Sequence, residues 1–157
     1  MIRVQREDFD VGVELDKLTR GNRTIGGLAS FVGLVRDLHD PQEDGVAAMT
    51  LEHYPGMTEK MLANIEAEAH RRWQLDASLI IHRYGRMEPG ERIVLVACAS
   101  RHRDAAFDAC RFLMDWLKTK APFWKLEETA SGERWVEARD SDDAAARRWT
   151  KDPKAAE

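Results

Sequence analysis

Apolar positions recur along this chain with two periods. From Met57 to Trp73, the residues Met57, Met61, Leu62, Ile65 and Ala69 return at helical spacing, with Glu59, Lys60, Asn64, Glu66 and Glu68 between them. That pattern predicts an amphipathic helix. Asp104 to Lys120 predicts a second: Ala106, Cys110, Leu113 and Leu117 make its apolar stripe, and Asp104, Asp108, Arg111, Asp115 and Lys118 share the opposite face. Pro122 ends it, because proline lacks the N–H that the helix needs. Shorter apolar runs predict strands at Ile2 to Phe9, Thr24 to Arg36, Val46 to His53, Ser78 to Tyr84 and Arg92 to Ser100. The last two are joined through MEPGE, a Pro-Gly turn that predicts a hairpin.

Phe123 to Thr129 and Glu133 to Ala138 predict another hairpin around Ala130-Ser131-Gly132, and Val11 to Leu18 a short helix. Gly26, Gly27 and Gly33 punctuate the second strand, where a bulge or a close approach by backbone or ligand is expected. Asp37 to Gly45, DLHDPQEDG, has the composition of an acidic loop. Strands and helices mix without strict βα alternation, so the expected class is α+β with a largely antiparallel sheet. One domain over residues 1–140 is expected, followed by a polar tail, 141–157, with a short helix near Ala144 to Trp149.

Composition narrows the function. Charged residues make up 33% and hydrophobic ones 43%, a balance that suits a globular chain. The opening MIRVQRED lacks the apolar core of a secretory signal, so a cytoplasmic location is the expectation. Cys98 and Cys110 fall in apolar patterns with no C-x-x-C spacing and are expected to be buried thiols. A net charge of −4 argues against a general nucleic-acid binder. Within that acidic chain, Arg101 to Lys125 carries six Lys or Arg against three Asp, the footprint of a site for a small anion or an acidic tail.

The candidate residues cluster there. His102 and Arg103 lie where a strand end passes into a helix start, beside unpaired backbone N–H groups that suit a phosphate or carboxylate; the plainer alternative is a Ser100 cap with two surface cations. Lys118 alone reads as a surface lysine pairing with Asp115. Lys125 is placed between Trp124 and Leu126, on the opposite strand face, where a partly desolvated ammonium serves as acid, base or anchor. Arg36 closes FVGLVR three residues after Gly33. Trp116, Phe123, Trp124 and Trp135 read as core and hairpin packing.

Taken in order, four stretches resemble one family: FVGLVR, LEHYPGMTEKML, SRHRDAAFDA, and LKTKAPFWKLEE with its sequel GERWVEAR. The family is the large, catalytic subunit of molybdopterin synthase. The resemblance implies an α/β-hammerhead domain that dimerises and binds two copies of a small ubiquitin-like sulfur carrier. The carrier's C-terminal Gly-Gly thiocarboxylate would enter a pocket on this subunit. The implied reaction is sulfur transfer to cyclic pyranopterin monophosphate, giving the dithiolene of molybdopterin, with no metal or organic cofactor required. Carried over by position, Arg36, His102 and Arg103 would hold the substrate's anionic groups, Lys118 and Lys125 would be catalytic, and Arg139 would serve the pocket or the carrier contact. Leu126 departs from the family pattern, standing where a second basic residue is expected. Two rival readings remain at this stage. A noncatalytic ferredoxin-like module for nucleotide or RNA would need exposed alternating aromatics, which RIVLVACAS lacks; a scaffold for the carrier would keep binding without activity.

Overall fold

A computed structural model describes residues 1–37, 45–136 and 140–150. In chain order its elements are β1 (Ile2–Gln5), α1 (Val11–Thr19), β2 (Gly27–Leu34), β3 (Val46–His53), α2 (Met57–Arg72), β4 (Ala77–Arg83), β5 (Gly85–Met87), β6 (Arg92–Ser100), α3 (Arg103–Lys120), β7 (Phe123–Thr129), β8 (Gly132–Val136) and α4 (Asp140–Arg147). The expected α+β architecture is present, with α2 and α3 as its two main helices. The strands form two four-stranded sheets rather than one, ordered β1-β4-β6-β2 and β5-β3-β7-β8. Pairing is antiparallel except between β1 and β4, among the described residues. The second sheet arises because the link from β4 to β6 does not turn directly. Its β5 segment leaves to pair with β3, and Gly90, at φ +91°, brings the chain back.

The period-two pattern of β6 explains the layers. Val94, Val96 and Cys98 point to one side, where Leu62, Ile65 and Ala69 of α2 and Ala106, Cys110, Phe112, Leu113 and Leu117 of α3 complete the main core. Leu95 and Ala97 point to the other, against Phe9 and the α1 side chains Val11, Leu15 and Leu18. Asp10 starts α1 by accepting a hydrogen bond from the Val13 N–H at 2.9 Å. The α2 stripe is buried as expected at Leu62, Ile65 and Ala69 and differs at its head, where Thr58 is fully buried while Met57 is half-exposed. A third cluster, Val35, Met49, Leu51 and Met87 with Ile93 against it, joins the end of β2 to the inner face of the second sheet.

Helix α4 begins four residues earlier than expected and packs on α3. Trp149, just beyond it, meets Trp73 and Phe112 edge-on and donates its indole N–H to Asp115 at 2.7 Å. Among the described residues no helix is long and apolar enough to cross a membrane.

Candidate functional site

Helix α3 carries two of the expected site residues, Arg103 and Lys118, with a third, His102, as its N-cap, and its length separates the two on the helix. It has 18 residues, so it runs for about 27 Å, and Arg103 and Lys118, fifteen residues apart, are about 22 Å apart along its axis. His102 and Arg103 are at its N-terminal end, both exposed. His102 is the N-cap residue and makes no side-chain cap. Ser100 holds the joint instead: its Oγ donates to the Gln74 carbonyl at 2.8 Å and accepts from the His102 N–H at 3.3 Å. The glycines predicted to allow close approach do so here. A Cβ on Gly26 would overlap the Arg101 carbonyl oxygen, and one on Gly27 would lie 3.3 Å from the Arg103 Cα. The start of β2 is therefore pressed against the start of α3.

Arg36, Lys118 and Lys125 belong to the other end. Because α3 folds back along β6, its C-terminus returns toward the start of β6, where β2 finishes: Leu34 pairs with Arg92, and Val35 exchanges backbone hydrogen bonds with Gly90 and Glu91. Arg36 follows, exposed. Lys118 lies on the polar face of α3, with its ammonium 4.0 Å from an Asp142 carboxylate oxygen. The expected Asp115 pairing is not made, because Asp115 is taken by Trp149 and Arg148 from the α4 side.

Lys125 stands on β7 opposite Leu51 of β3 and Val136 of β8. The strand is regular, so Phe123, Lys125 and Glu127 share one face and Trp124 and Leu126 the other, as the alternation predicted. The lysine face is the inner one. Its cross-strand neighbours Leu51 and Met49 belong to the cluster that also holds Val35, the residue before Arg36, and Glu127 is buried with Arg134 at 3.1 Å. Trp124 and Trp135 are on the outer face, exposed by 48% and 59%, so they are not core packing. Trp116 and Phe123 do pack, Phe123 face to face with the ring of His82 at 3.8 Å.

The chain between the two lysines is braced by residues for which the sequence suggested no role at the site. Thr58 Oγ1 accepts from the Tyr54 N–H at 3.0 Å and donates to the Pro122 carbonyl at 3.2 Å. His82 is fully buried, and burial pushes its pKa down to about 4, against a hydrogen bond between Nδ1 and the Arg83 carbonyl. His53, opposite Phe123 on β3, tilts against Tyr84 at 4.2 Å. The signal for Thr58 lay in the sequence: positions 58, 62, 65 and 69 are themselves a helical stripe, with a threonine at its head.

Arg139 and most of the acidic loop, residues 38–44, lie outside the described residues. Both cysteines are buried free thiols; burial pushes Cys110 up to about 11 and Cys98 higher. They are poor nucleophiles in that state. Among the described residues no group of three or more His, Cys, Asp or Glu side chains is arranged to hold a metal ion.

Comparison with known proteins identifies the family. A relative from Pseudomonas aeruginosa, named molybdopterin synthase catalytic subunit, is 62% identical over 94% of this chain and 97% of its own. One of the same name from Ralstonia nicotianae is 57% identical over 94% of this chain and 83% of its own. Among solved structures, the molybdopterin biosynthesis MoaE protein of Burkholderia ambifaria superposes with a TM-score of 0.82 at 55% identity, covering 96% of this chain and 98% of that one. Molybdopterin synthase from Staphylococcus aureus gives 0.79 at 27% identity, over 86% and 96%. The family model described as MoaE protein matches residues 4–120, from within β1 to the end of α3, a span that holds Arg36, His102, Arg103 and Lys118 but stops short of Lys125, and the chain belongs to that family.

Proposed function

We propose that the chain is the catalytic subunit of a molybdopterin synthase, and that two copies of it build each site between them. In this reading it is a sulfurtransferase. Sulfur passes from the C-terminal thiocarboxylate of a small ubiquitin-like carrier to cyclic pyranopterin monophosphate, in the cytoplasm, where Cys98 and Cys110 stay reduced.

The observation that carries the two-copy site is the span of α3. Arg103 and Lys118, about 22 Å apart on one helix, cannot both reach one pterin, yet both stand among the residues the family resemblance nominates. A second copy resolves this. β2 is at the end of its sheet, so one edge of it has no strand partner among the described residues. The strand at that edge carries exposed Phe31 and Leu34. A free apolar edge of eight residues is a template for pairing with another chain. Antiparallel pairing of β2 with its copy, about a two-fold axis near Ser30 and Phe31, sets Gly27 of one chain opposite Leu34 of the other. His102 and Arg103, packed beside Gly27, then join Arg36, Lys118 and Lys125 of the partner.

The chemistry asks for such a cationic pocket. The thiocarboxylate and the cyclic phosphate are both anions, and sulfur attack on a substrate carbon moves negative charge onto oxygen. Arg36, with His102 and Arg103 from the second copy, binds the phosphate and pterin oxygens. Lys118, whose pairing with Asp142 is long at 4.0 Å, is the cation nearest the incoming thiocarboxylate. Lys125, on the inner face beside Leu51, stabilises developing charge or delivers a proton. Arg139 contributes to the pocket or the carrier contact. The thioester left by the first transfer is hydrolysed, the spent carrier leaves, and a second carrier supplies the second sulfur.

The test is product formation from the cyclic precursor and thiocarboxylated carrier, with carrier binding measured alongside. Lys118→Ala is expected to lose product by about 100-fold or more while carrier affinity changes little. Full activity in Lys118→Ala, or no product from the unsubstituted protein with carrier bound, would overturn the reading and leave a scaffold.

A further inference from the structure

The stretch LEHYPGMTEKML contributes to the family resemblance but supplies none of the residues assigned to substrate or carrier. The structure gives its middle a specific job. Lys118 and Lys125 are joined by the end of α3 and the turn Ala121-Pro122, and that turn, together with the pairing of β7 on β3 and β8, sets where the strand lysine stands relative to the helix lysine. Proline has no N–H, so the turn has few hydrogen bonds of its own. The Phe123 N–H reaches back to the Ala121 carbonyl at 2.9 Å, and the Ala121 N–H to Leu117 at 3.3 Å. The Pro122 carbonyl is the group left to tie the turn to the rest of the molecule.

We infer that Thr58 is a positioning residue for the two lysines, acting through the Pro122 carbonyl. Its Oγ1 has one donor and one acceptor partner, Pro122 O at 3.2 Å and Tyr54 N–H at 3.0 Å. The side chain is fully buried, so no water replaces either bond. The hydroxyl is itself fixed by a turn built for it. Gly56, at φ +80°, donates its N–H to the Glu59 carboxylate at 2.6 Å, and the Thr58 N–H bonds the Tyr54 carbonyl at 2.9 Å. A second brace acts one residue further on, where the buried ring of His82 stacks on Phe123. Thr58 thus holds the carbonyl immediately before the strand that carries Lys125, and a shift of the turn displaces the start of β7 and the side chain of Lys125 near it, while leaving Lys118 on its helix.

This inference rests on the assignment of Lys118 and Lys125 as catalytic, and the experiment separates the two. Thr58→Val keeps the shape and removes both hydrogen bonds; Thr58→Ser keeps the hydroxyl. Rates are measured with saturating precursor and thiocarboxylated carrier, well below each variant's melting temperature. Thr58→Val is expected to lower kcat by about tenfold or more, since small misplacements of reacting groups cost that much. KM for the precursor and the carrier Kd should stay within about twofold, because a group needed only in the transition state affects kcat and kcat/KM alike. Thr58→Ser should recover most of the rate. Where Thr58→Val does not fold, Thr58→Ala makes the same comparison at lower temperature. An unchanged kcat in the hydroxyl-free variants, a loss that Thr58→Ser does not restore, or a loss that appears in carrier binding overturns the inference. Activity in Lys118→Ala instead overturns the assignment beneath it.

Discussion

His82 shows how a single buried side chain ties stability to pH. Its pKa lies near 4 in the fold and near 6.5 once the chain unfolds and the ring meets water. Between those values the unfolded chain binds a proton that the folded chain excludes, so the contribution to stability is constant above pH 6.5 and is lost as pH falls toward 4. The difference, from 6.5 to about 4, is worth about 3 kcal/mol. Asp8 and Glu68 act lower. Arg92 holds the first near 2, and Arg71 with Arg72 the second, so their stabilisation is lost only as pH falls from about 4.5 toward 2. Urea unfolding followed from pH 7 to pH 4.5 should therefore show a falling midpoint, and the fall should shrink in His82→Phe. An equal slope in both proteins would assign the effect elsewhere. Nothing in the alternation around His82 announces this: IIH reads as the end of an apolar strand, and only the second sheet, closing over β4 through Phe123, removes the ring from water. Lys125 was more legible, because strand alternation alone placed it opposite Trp124 and Leu126. Lys118 was less so, since its ion partner, Asp142, comes from α4, twenty-four residues along the chain.

At the scale of elements, α3 and its flanking joints organise the molecule. Its stripe and its proline stop were legible in the sequence, because a buried helix face against a sheet leaves a strong 3.6-residue period. The second sheet was not. β5 has three residues, too few for any period, and a Pro-Gly turn looks the same whether or not the chain detours before it. That detour also exposes Trp124 and Trp135 on an outer sheet face, where a hairpin read by itself had them packed. The joint at the other end of α3 offers a direct test. Gly26 lies so close to the Arg101 carbonyl that a methyl group there has no room. Gly26→Ala should destabilise the fold by about 1–3 kcal/mol, the usual cost of overpacking, seen as a lower urea midpoint. It should also weaken substrate binding, because His102 and Arg103 begin where that contact ends. A variant as stable as the parent would mean that the joint yields without cost.

For the whole molecule, the sequence suggested a single cationic site inside an acidic chain, whereas the fold places the residues nominated for it at the two ends of one helix. No local pattern could reveal this, because the length of α3 shows that Arg103 and Lys118 are far apart, and the edge of β2, unpaired among the described residues, supplies a way to bring one copy's residues to the other's. The proposed two-copy site requires Lys118 of one copy to work with Arg103 of the other. Its most direct test mixes two inactive variants, Lys118→Ala and Arg103→Ala, under conditions that let subunits exchange, and measures product formation from the cyclic precursor and thiocarboxylated carrier. In a mixed dimer one of the two sites receives both substitutions and the other receives neither, so an equal mixture should recover about a quarter of the parent activity after random exchange. A mixture that exchanges subunits yet stays as inactive as its components would contradict the account, because it would place Lys118 and Arg103 of the same copy in one site.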